Sequence, residues 1–583
     1  MKTIIIGINS KYIHSSLAAW YLKASCDEQC GEVKVMEFTI NDNSEYVLSR
    51  IYAEGCDVAA FSCYIWNIGF VLKLAENLKM VLPDVKIILG GPEVSFDPHD
   101  ILRSNRFVDY VMAGEGEGAF GLLLRSFTDE GINPDAIEGL SYRKNGEIHA
   151  STSFRLVKEL DTVPSPYTPE MLEAIGNRII YFESSRGCPF SCSYCISSTF
   201  EGVRYFSMDR VKSDLLTLID ARVKLVKFVD RTFNCNRQRA KEIFSFIIEN
   251  AKETSFHFEA AADLFDDEMF DILSRAPKGL IQFEIGIQST NEAALEAIRR
   301  KTDLKKVFEN IKKLKELGNV HIHVDLIAGL PFEDYNSFLN SFNETYKLYP
   351  HQLQLGFLKL LKGSGIRREY QKYGYKFRQY PPYEVLSNAY LSFGDIIKLK
   401  KIEELLERYY NSGRFQRTLK YLIEGFFPSP AAFFEEFSKY YEAAGCYDRS
   451  ISSRELYTIL LDFASSLDME VNLVLLNEIL KFDFLVSDNT NNLPKGLERL
   501  YIDNFGERCF EFLKNRENVE KFLPEFSDTP AKKIYNKVHF EAFRFNVADE
   551  TLAQDEDTTV ILFDYSQKDS ITGHYRFYKI QLP

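Results

Sequence analysis

The chain reads as an α/β protein in three parts: an N-terminal doubly wound parallel sheet, a central partial (βα)6 barrel, and a mainly helical C-terminal region with a small β tail. Three observations predict this. Short β-branched runs alternate with amphipathic stretches up to about residue 135, and do so again over about 176–384. A proline-dense interval separates the two series, and beyond 385 the pattern turns helical and heavily aromatic. Alternating β and α segments imply parallel strands covered by helices. At 583 residues the chain is too long for one hydrophobic core.

In residues 1–135 the strand-like runs are 2–8, 33–38, 58–63, 85–89 and 108–112, with amphipathic stretches such as 15–24 and 69–81 between them. The run 2–8 follows a single lysine and lacks a small-residue cleavage site, so it reads as a buried first strand and not as a signal peptide. Five such units imply a doubly wound, flavodoxin/Rossmann-like sheet, whose ligands bind beyond the carboxyl ends of the strands. Those ends carry Gly7-Ile8-Asn9-Ser10, Ser62-Cys63-Tyr64, Gly90-Gly91-Pro92-Glu93 and Gly114-Glu115-Gly116-Glu117. Each loop alone reads as turn chemistry. Four Gly- or Ser-bearing loops on one edge point to a ligand site, because glycine lets a ligand approach the backbone closely.

Residues 136–175 lose periodicity, and three prolines in nine residues from Asp161 read as a linker. The second series places strands near 179–184, 224–230, 255–261, 280–288, 320–327 and 351–358, which suggests a partial barrel over 176–384. Residues 385–583 read as a further domain. It is helical over 385–482, with strand-like segments 538–545, 559–564 and 574–582. No motif in this last third translates into chemistry.

A net charge of −14 argues against broad, charge-driven binding to nucleic acid or anionic membrane. The sequence has no apolar run long enough to span a bilayer. The ten cysteines are scattered apart from one tight group, which points to metal binding in a reducing cytoplasm and not to a disulfide framework.

That group is Glu183-Ser-Ser-Arg-Gly-Cys188-Pro-Phe-Ser-Cys192-Ser-Tyr-Cys195, just past a predicted strand. Thiolates suit iron–sulfur clusters and zinc. A structural zinc site wants four ligands, and no fourth Cys or His lies near in sequence. A four-iron cluster on three thiolates leaves one iron open to a chelating ligand.

The spacing Cys188-x3-Cys192-x2-Cys195, with Tyr194 before the third cysteine, resembles the radical S-adenosylmethionine (SAM) superfamily. Val229-Asp230-Arg-Thr-Phe-Asn, Phe283-Glu284-Ile-Gly286-Ile-Gln288-Ser289 and Val324-Asp325-Leu-Ile-Ala-Gly-Leu330-Pro331 are similar to that family's later strand-end motifs, in order over about 175–365. The resemblance implies that Cys188, Cys192 and Cys195 ligate a [4Fe–4S] cluster and that SAM chelates the open iron. It implies SAM contacts from Tyr194, Arg204, Asp230, Glu259, Glu284, Gln288 and Asp325. Strand alternation supports a polar interior: Gln282, Glu284 and Gln288 share one face against Phe283, Ile285 and Ile287. His257 and Glu259 likewise oppose Phe256 and Phe258, and His321, His323 and Asp325 oppose Ile322, Val324 and Leu326. His321 and His323 read as hydrogen-bonded structural histidines, as substrate contacts, or as a zinc-binding pair.

A doubly wound domain, a proline-rich linker and a barrel of this kind resemble the cobalamin-binding radical SAM group. The resemblance implies cobalamin contacts from Asn9, Ser10, Tyr12, His14, Ser62, Tyr64, Gly90, Gly91, Glu93, Gly114, Glu115 and Glu117. The Asp-x-His-x-x-Gly motif that supplies an axial histidine in many cobalamin proteins is absent. His14 is the histidine available for such a role, or an ordinary loop residue. The implied chemistry is a 5′-deoxyadenosyl radical that takes hydrogen from an unreactive C–H bond, with methylation of unactivated carbon as the first expectation. Rearrangement or cyclisation, sulfur insertion through a second cluster, and a non-catalytic cobalamin or redox sensor are the alternatives. Cys26, Cys30, Cys56 and Cys63 fit a second cluster poorly by spacing. The substrate is a small molecule or peptide the sequence does not name. An electron donor such as flavodoxin or ferredoxin is implied, with no membrane and no nucleic acid. The C-terminal region resembles an appended domain of unknown function.

Overall fold

The computed structural model describes residues 1–200, 202–490, 492–549 and 558–583. It groups them into two compact units. The first is Met1–Val320 with Gly329–Glu333 and Phe357–Ser392; the second is His321–Ala328 with Asp334–Gly356 and Phe393–Pro583.

The first unit opens with strands β1 (Lys2–Asn9), β2 (Glu32–Thr39), β3 (Val58–Ser62), β4 (Lys86–Gly90) and β5 (Tyr110–Met112). They pair in parallel in the order β2-β1-β3-β4-β5, so the strand order reverses between β1 and β3, the place where doubly wound sheets bind ligands. Both faces are packed, which explains the unbroken apolar runs. Ile4, Ile6, Ala59, Phe61, Ile87 and Leu89 enter one core, while Ile5, Val58, Ala60 and Ile88 enter the other.

Part of the stretch read as a linker extends this sheet. Strands β6 (Leu140–Lys144) and β7 (Glu147–His149) add antiparallel to β5. Between them lie only Asn145 and Gly146, with φ of 51° and 84°. This is the Asn-Gly turn that matches strand twist in a two-residue hairpin. The sequence signal was present but short, and the neighbouring prolines outweighed it.

The second sheet of this unit contains β8 (Ile180–Phe182), β11 (Leu225–Phe228), β12 (Ser255–Glu259) and β13 (Ile281–Gln288), all parallel. A short antiparallel pair, β9 (Ser185–Gly187) and β10 (Val203–Tyr205), follows β8. The register aligns aromatic side chains across the strands. Phe182 meets Phe228 at 4.8 Å, Phe228 meets Phe258 at 4.5 Å, and Phe258 meets Phe283 at 6.0 Å between ring centroids. Phe244, on the helix Arg237–Asn250, closes over this ladder. The opposite face carries Tyr181, Lys227, His257 and Gln282 in one row, then Glu259 beside Glu284. The alternation expected from the sequence is thus realised, with the apolar side buried and the polar side partly open.

The second unit holds β14 (His321–Ala328) and β15 (Gln352–Phe357). It continues with helices that include Gln416–Phe426, Pro430–Ala443, Glu455–Ser466 and Leu473–Ser487 around buried Tyr409, Phe433, Phe437, Tyr441 and Tyr457. The tail strands Val538–Phe543, Thr559–Lys568 and Tyr575–Ile580 form an antiparallel sheet, close to the expected segments.

Candidate functional site

The cysteine loop is anchored before it begins. Asp230, at the end of β11, is 2% exposed and accepts from the Ser184 amide at 2.9 Å, the Ser184 hydroxyl at 2.7 Å and the Ser185 hydroxyl at 2.5 Å. Burial pushes its carboxyl up, and the Ser185 and Ser184 bonds pull the other way. Asp230, expected at SAM, therefore holds the approach to the loop. Gly187 has φ +102°, and a Cβ there would lie 2.2 Å from the Gly202 carbonyl oxygen. Only glycine lets β9 and β10 pass at that distance.

Within the loop the Cys195 amide donates to the Cys192 carbonyl at 3.1 Å, and the Ser198 hydroxyl donates to the carbonyls of Cys192 and Cys195. All three thiols are unbridged, with Cys192 buried and Cys188 and Cys195 half-buried. Among the described residues no three His, Cys, Asp or Glu side chains converge on one metal ion. A cubane differs from a single ion in this respect, because its thiolates sit on separate corners. Burial pushes the Cys192 thiol up, and the Arg300 guanidinium beside it works against that.

Arg300 is a residue the motif reading missed. Its Nη1 lies 3.4 Å from the Tyr194 hydroxyl, its Nη2 donates to the Gly286 carbonyl, and its Nε has no partner among the described residues. Gln288 closes β13 at φ +73°, buried, with Oε1 also unpartnered among the described residues. A Cβ on Gly286 would lie 2.0 Å from Gln288 Nε2, so the glycine makes room for that side chain. A cation, an amide and a phenol thus gather beside Cys192, with polar atoms left for a zwitterionic ligand. The signal for Arg300 was a basic pair following the fourth-strand motif, but a charge in a helix connection reads as surface.

Other carboxylates are already engaged. Glu284 Oε2 binds Lys227 at 3.0 Å and His257 at 2.9 Å. Arg204 grips Glu115 with a two-pronged contact at 2.6 and 2.8 Å. Glu115 was expected at cobalamin and Arg204 at SAM, yet the fold pairs them with each other. Arg186, aligned with Arg204 across β9 and β10, binds Glu117 and Glu183 at 2.6 Å each. Burial opposes the Arg186 charge, but Glu183 and Glu117 hold its pKa above the ordinary value. The hairpin that delivers the cysteines is therefore locked to the Gly-Glu-Gly-Glu loop by charge-assisted bonds. In the second unit, by itself, His323 Nε2 contacts Asp325 Oδ1 at 3.0 Å, and His321 stacks on His351 at 5.0 Å.

A cavity of about 610 Å³ opens at the carboxyl edge of the N-terminal sheet. It is lined by Asn9, Ser10, His14, Ser62, Tyr64, Gly90, Gly91, Gly114, Glu115 and Glu117 of the sequence-derived set. Its far wall is Tyr181, Glu183, Arg186, Lys227, Arg231 and Glu259, from the strands around the cysteine loop. Two expected residues stand apart. Tyr12 is 78% exposed and outside the lining. Glu93 is buried and held by Tyr383 and Lys362. His14 Nδ1 meets the Tyr181 hydroxyl at 2.7 Å, and burial, with Lys11 and Lys227 nearby, lowers its pKa. Trp66, unforeseen, stacks on Tyr64 at 4.4 Å and gives the cavity a flat aromatic wall. The Ser62 hydroxyl is buried at the edge without a partner among the described residues.

Residues 3–124 match the family model of the B12 binding domain, 182–344 that of the radical SAM superfamily, and 371–563 that of a protein of unknown function, DUF4080. The cobalamin-dependent radical SAM methyltransferase TokK of Streptomyces tokunonensis is 29% identical over 314 residues, which cover 51% of this chain and 46% of that protein. The chain spans about half the length of the curated relatives it matches. OxsB, a cobalamin-dependent SAM radical enzyme solved with aqua-cobalamin and SAM bound, superposes with a TM-score of 0.57 at 14% identity over 83% of each chain. The SAM methyltransferase TsrM of Kitasatospora setae gives 0.54 at 15% identity over 64% of this chain and 78% of that one. The last two are likenesses of fold. The cysteine loop and the cavity thus fall within a chain that joins, in order, a region matching the B12 binding domain, a region matching the radical SAM superfamily and a C-terminal region matching a domain of unknown function.

Proposed function

We propose that this chain is a cobalamin-dependent radical SAM methyltransferase acting on an unactivated carbon. One observation carries the reading: a single cavity is walled on one side by four loops of the N-terminal sheet and on the other by the strands around the cysteine loop. Cys188, Cys192 and Cys195 would hold the cluster. Arg300, Tyr194 and Gln288 would bind the polar groups of SAM. The N-terminal loops would hold cobalamin, with Ser62 donating from the cavity edge and Tyr64 and Trp66 offering a flat wall. When bound, these groups supply the one-electron chemistry that opens a C–H bond and the methyl group to be transferred.

The protein's own part is orientation and exclusion of water. The ion pairs of Arg186 and Arg204 with Glu117 and Glu115 fix the N-terminal loops against the cysteine hairpin. Glu284, bridging Lys227 and His257, forms with them a polar cluster able to orient a substrate. Residues 1–135, with the added strands β6 and β7, are taken as the cobalamin-binding part, the rest of 136–175 as the connection, 176–384 as the barrel and 385–583 as the C-terminal domain. A reducing cytoplasm and a donor such as flavodoxin or ferredoxin complete the proposal. Among the described residues no helix is long and apolar enough to cross a membrane.

The test is anaerobic reconstitution with iron, sulfide and hydroxocobalamin, then metal analysis, reductive SAM cleavage and product mass. About four irons, one cobalt, released 5′-deoxyadenosine and a product heavier by one methyl group support the reading. Cleavage with an unchanged product mass would replace methylation by rearrangement. Iron without cobalt would remove cobalamin.

A further inference from the structure

Two segments clamp the middle of the cysteine loop. Ser193, between Cys192 and Tyr194, donates its amide to the Ile298 carbonyl at 2.8 Å and accepts the Ile366 amide at 2.8 Å. Gly365 lies so close that a Cβ would meet Ser193 O at 3.2 Å. The two segments are further tied by Arg299 to Glu369 at 3.0 Å.

Both are strongly basic. Besides the inward-turned Arg300, residues 298–306 carry Arg299, Lys301, Lys305 and Lys306 against Asp303. Residues 366–378 carry Arg367, Arg368, Lys372, Lys376 and Arg378 against Glu369. This stands in a chain of net charge −14. Lys301, Lys305, Arg368 and Lys376 are exposed and enter no ion pair among the described residues. Tyr370, in the same segment, is 38% exposed and offers an aromatic anchor.

We propose that this rim is the docking surface for an acidic one-electron carrier protein that reduces the cluster. The inference rests on the radical SAM reading. The residue that both basic segments grip adjoins a ligand cysteine, so a carrier seated there delivers its electron over a short covalent path. A local positive field on an otherwise acidic molecule steers an acidic partner to that point and repels it elsewhere. Redox encounters of this kind are small and transient, which suits a charged rim with one aromatic.

The test compares two reductants on the reconstituted full chain, a photoreduced acidic flavodoxin and reduced methyl viologen, with 5′-deoxyadenosine release as the readout. Two double variants are used, Arg368→Glu with Lys372→Glu, and Lys301→Glu with Lys305→Glu. Each is expected to raise the flavodoxin concentration for half-maximal rate at least tenfold and to flatten its salt dependence, leaving viologen-driven cleavage unchanged. Unchanged flavodoxin saturation in both variants, or equal loss with both reductants in both, overturns the assignment. A wild-type chain that cleaves SAM with neither reductant overturns instead the radical reading beneath it.

Discussion

Arg300 and Asp483 show how far surroundings reshape a single side chain. Arg300 has its guanidinium turned inward onto Tyr194 and the Gly286 carbonyl, beside Cys192. Arg300→Gln keeps a donor but removes the charge. SAM binding is expected to weaken tenfold or more while iron stays at about four per chain, as anaerobic equilibrium dialysis and iron analysis would show. Loss of iron in parallel would give Arg300 a purely structural role. Asp483, in the second unit, accepts from the Thr418 amide at 2.9 Å and hydroxyl at 2.7 Å. Burial raises its carboxyl to about 6, above the value of about 3.9 in an unfolded chain. Between those values the folded protein keeps a proton that the unfolded chain has released, so stability falls as pH rises through the window. Asp483→Asn still accepts from Thr418 and lacks the penalty. Its stability relative to wild type should grow by something on the order of 3 kcal/mol from about pH 4 to about pH 7. Denaturant unfolding across that range would show it, and a constant gap would mean that the carboxyl is not shifted.

Among the elements, the four parallel strands β8, β11, β12 and β13 divide labour by face. The Phe182–Phe228–Phe258–Phe283 ladder supplies cohesion, and the polar row opposite supplies chemistry. Phe228 is fully buried, so Phe228→Ala should cost about 3–5 kcal/mol in urea unfolding. Iron uptake in the absence of denaturant should persist, because the ring points away from the polar face. These faces were legible in the sequence, since strand alternation has a fixed period of two. The hairpin at Asn145 and Gly146 was less so. Its strands are only five and three residues long, and the prolines that follow dominate the local pattern.

For the whole molecule, the three cysteines lie in one loop, while the proposed cobalamin cavity takes one wall from the N-terminal loops and the other from strands beside that loop. On the proposed function, the loading of cluster and cobalamin should separate. Replacing Cys188, Cys192 and Cys195 by Ala should abolish iron binding while about one cobalt per chain remains. Ser62→Phe, which fills the cavity edge, should cut cobalt to below about a tenth and leave iron at about four. Simultaneous loss of both metals in either variant would show one interdependent site. The three-cysteine spacing and the strand-end loops were determined by sequence alone, because each is a local pattern whose residues lie within one loop or one strand. The tertiary structure decided which charges meet. Arg204 reaches Glu115 across 89 residues and Arg186 reaches Glu117 across 69. It also decided that Asp230 braces a loop, that Arg300 faces inward, and that ten expected loop residues share one cavity while Tyr12 and Glu93 do not. Such pairings follow from sheet register and burial, which act between segments far apart in the chain and leave no mark in the spacing of either one.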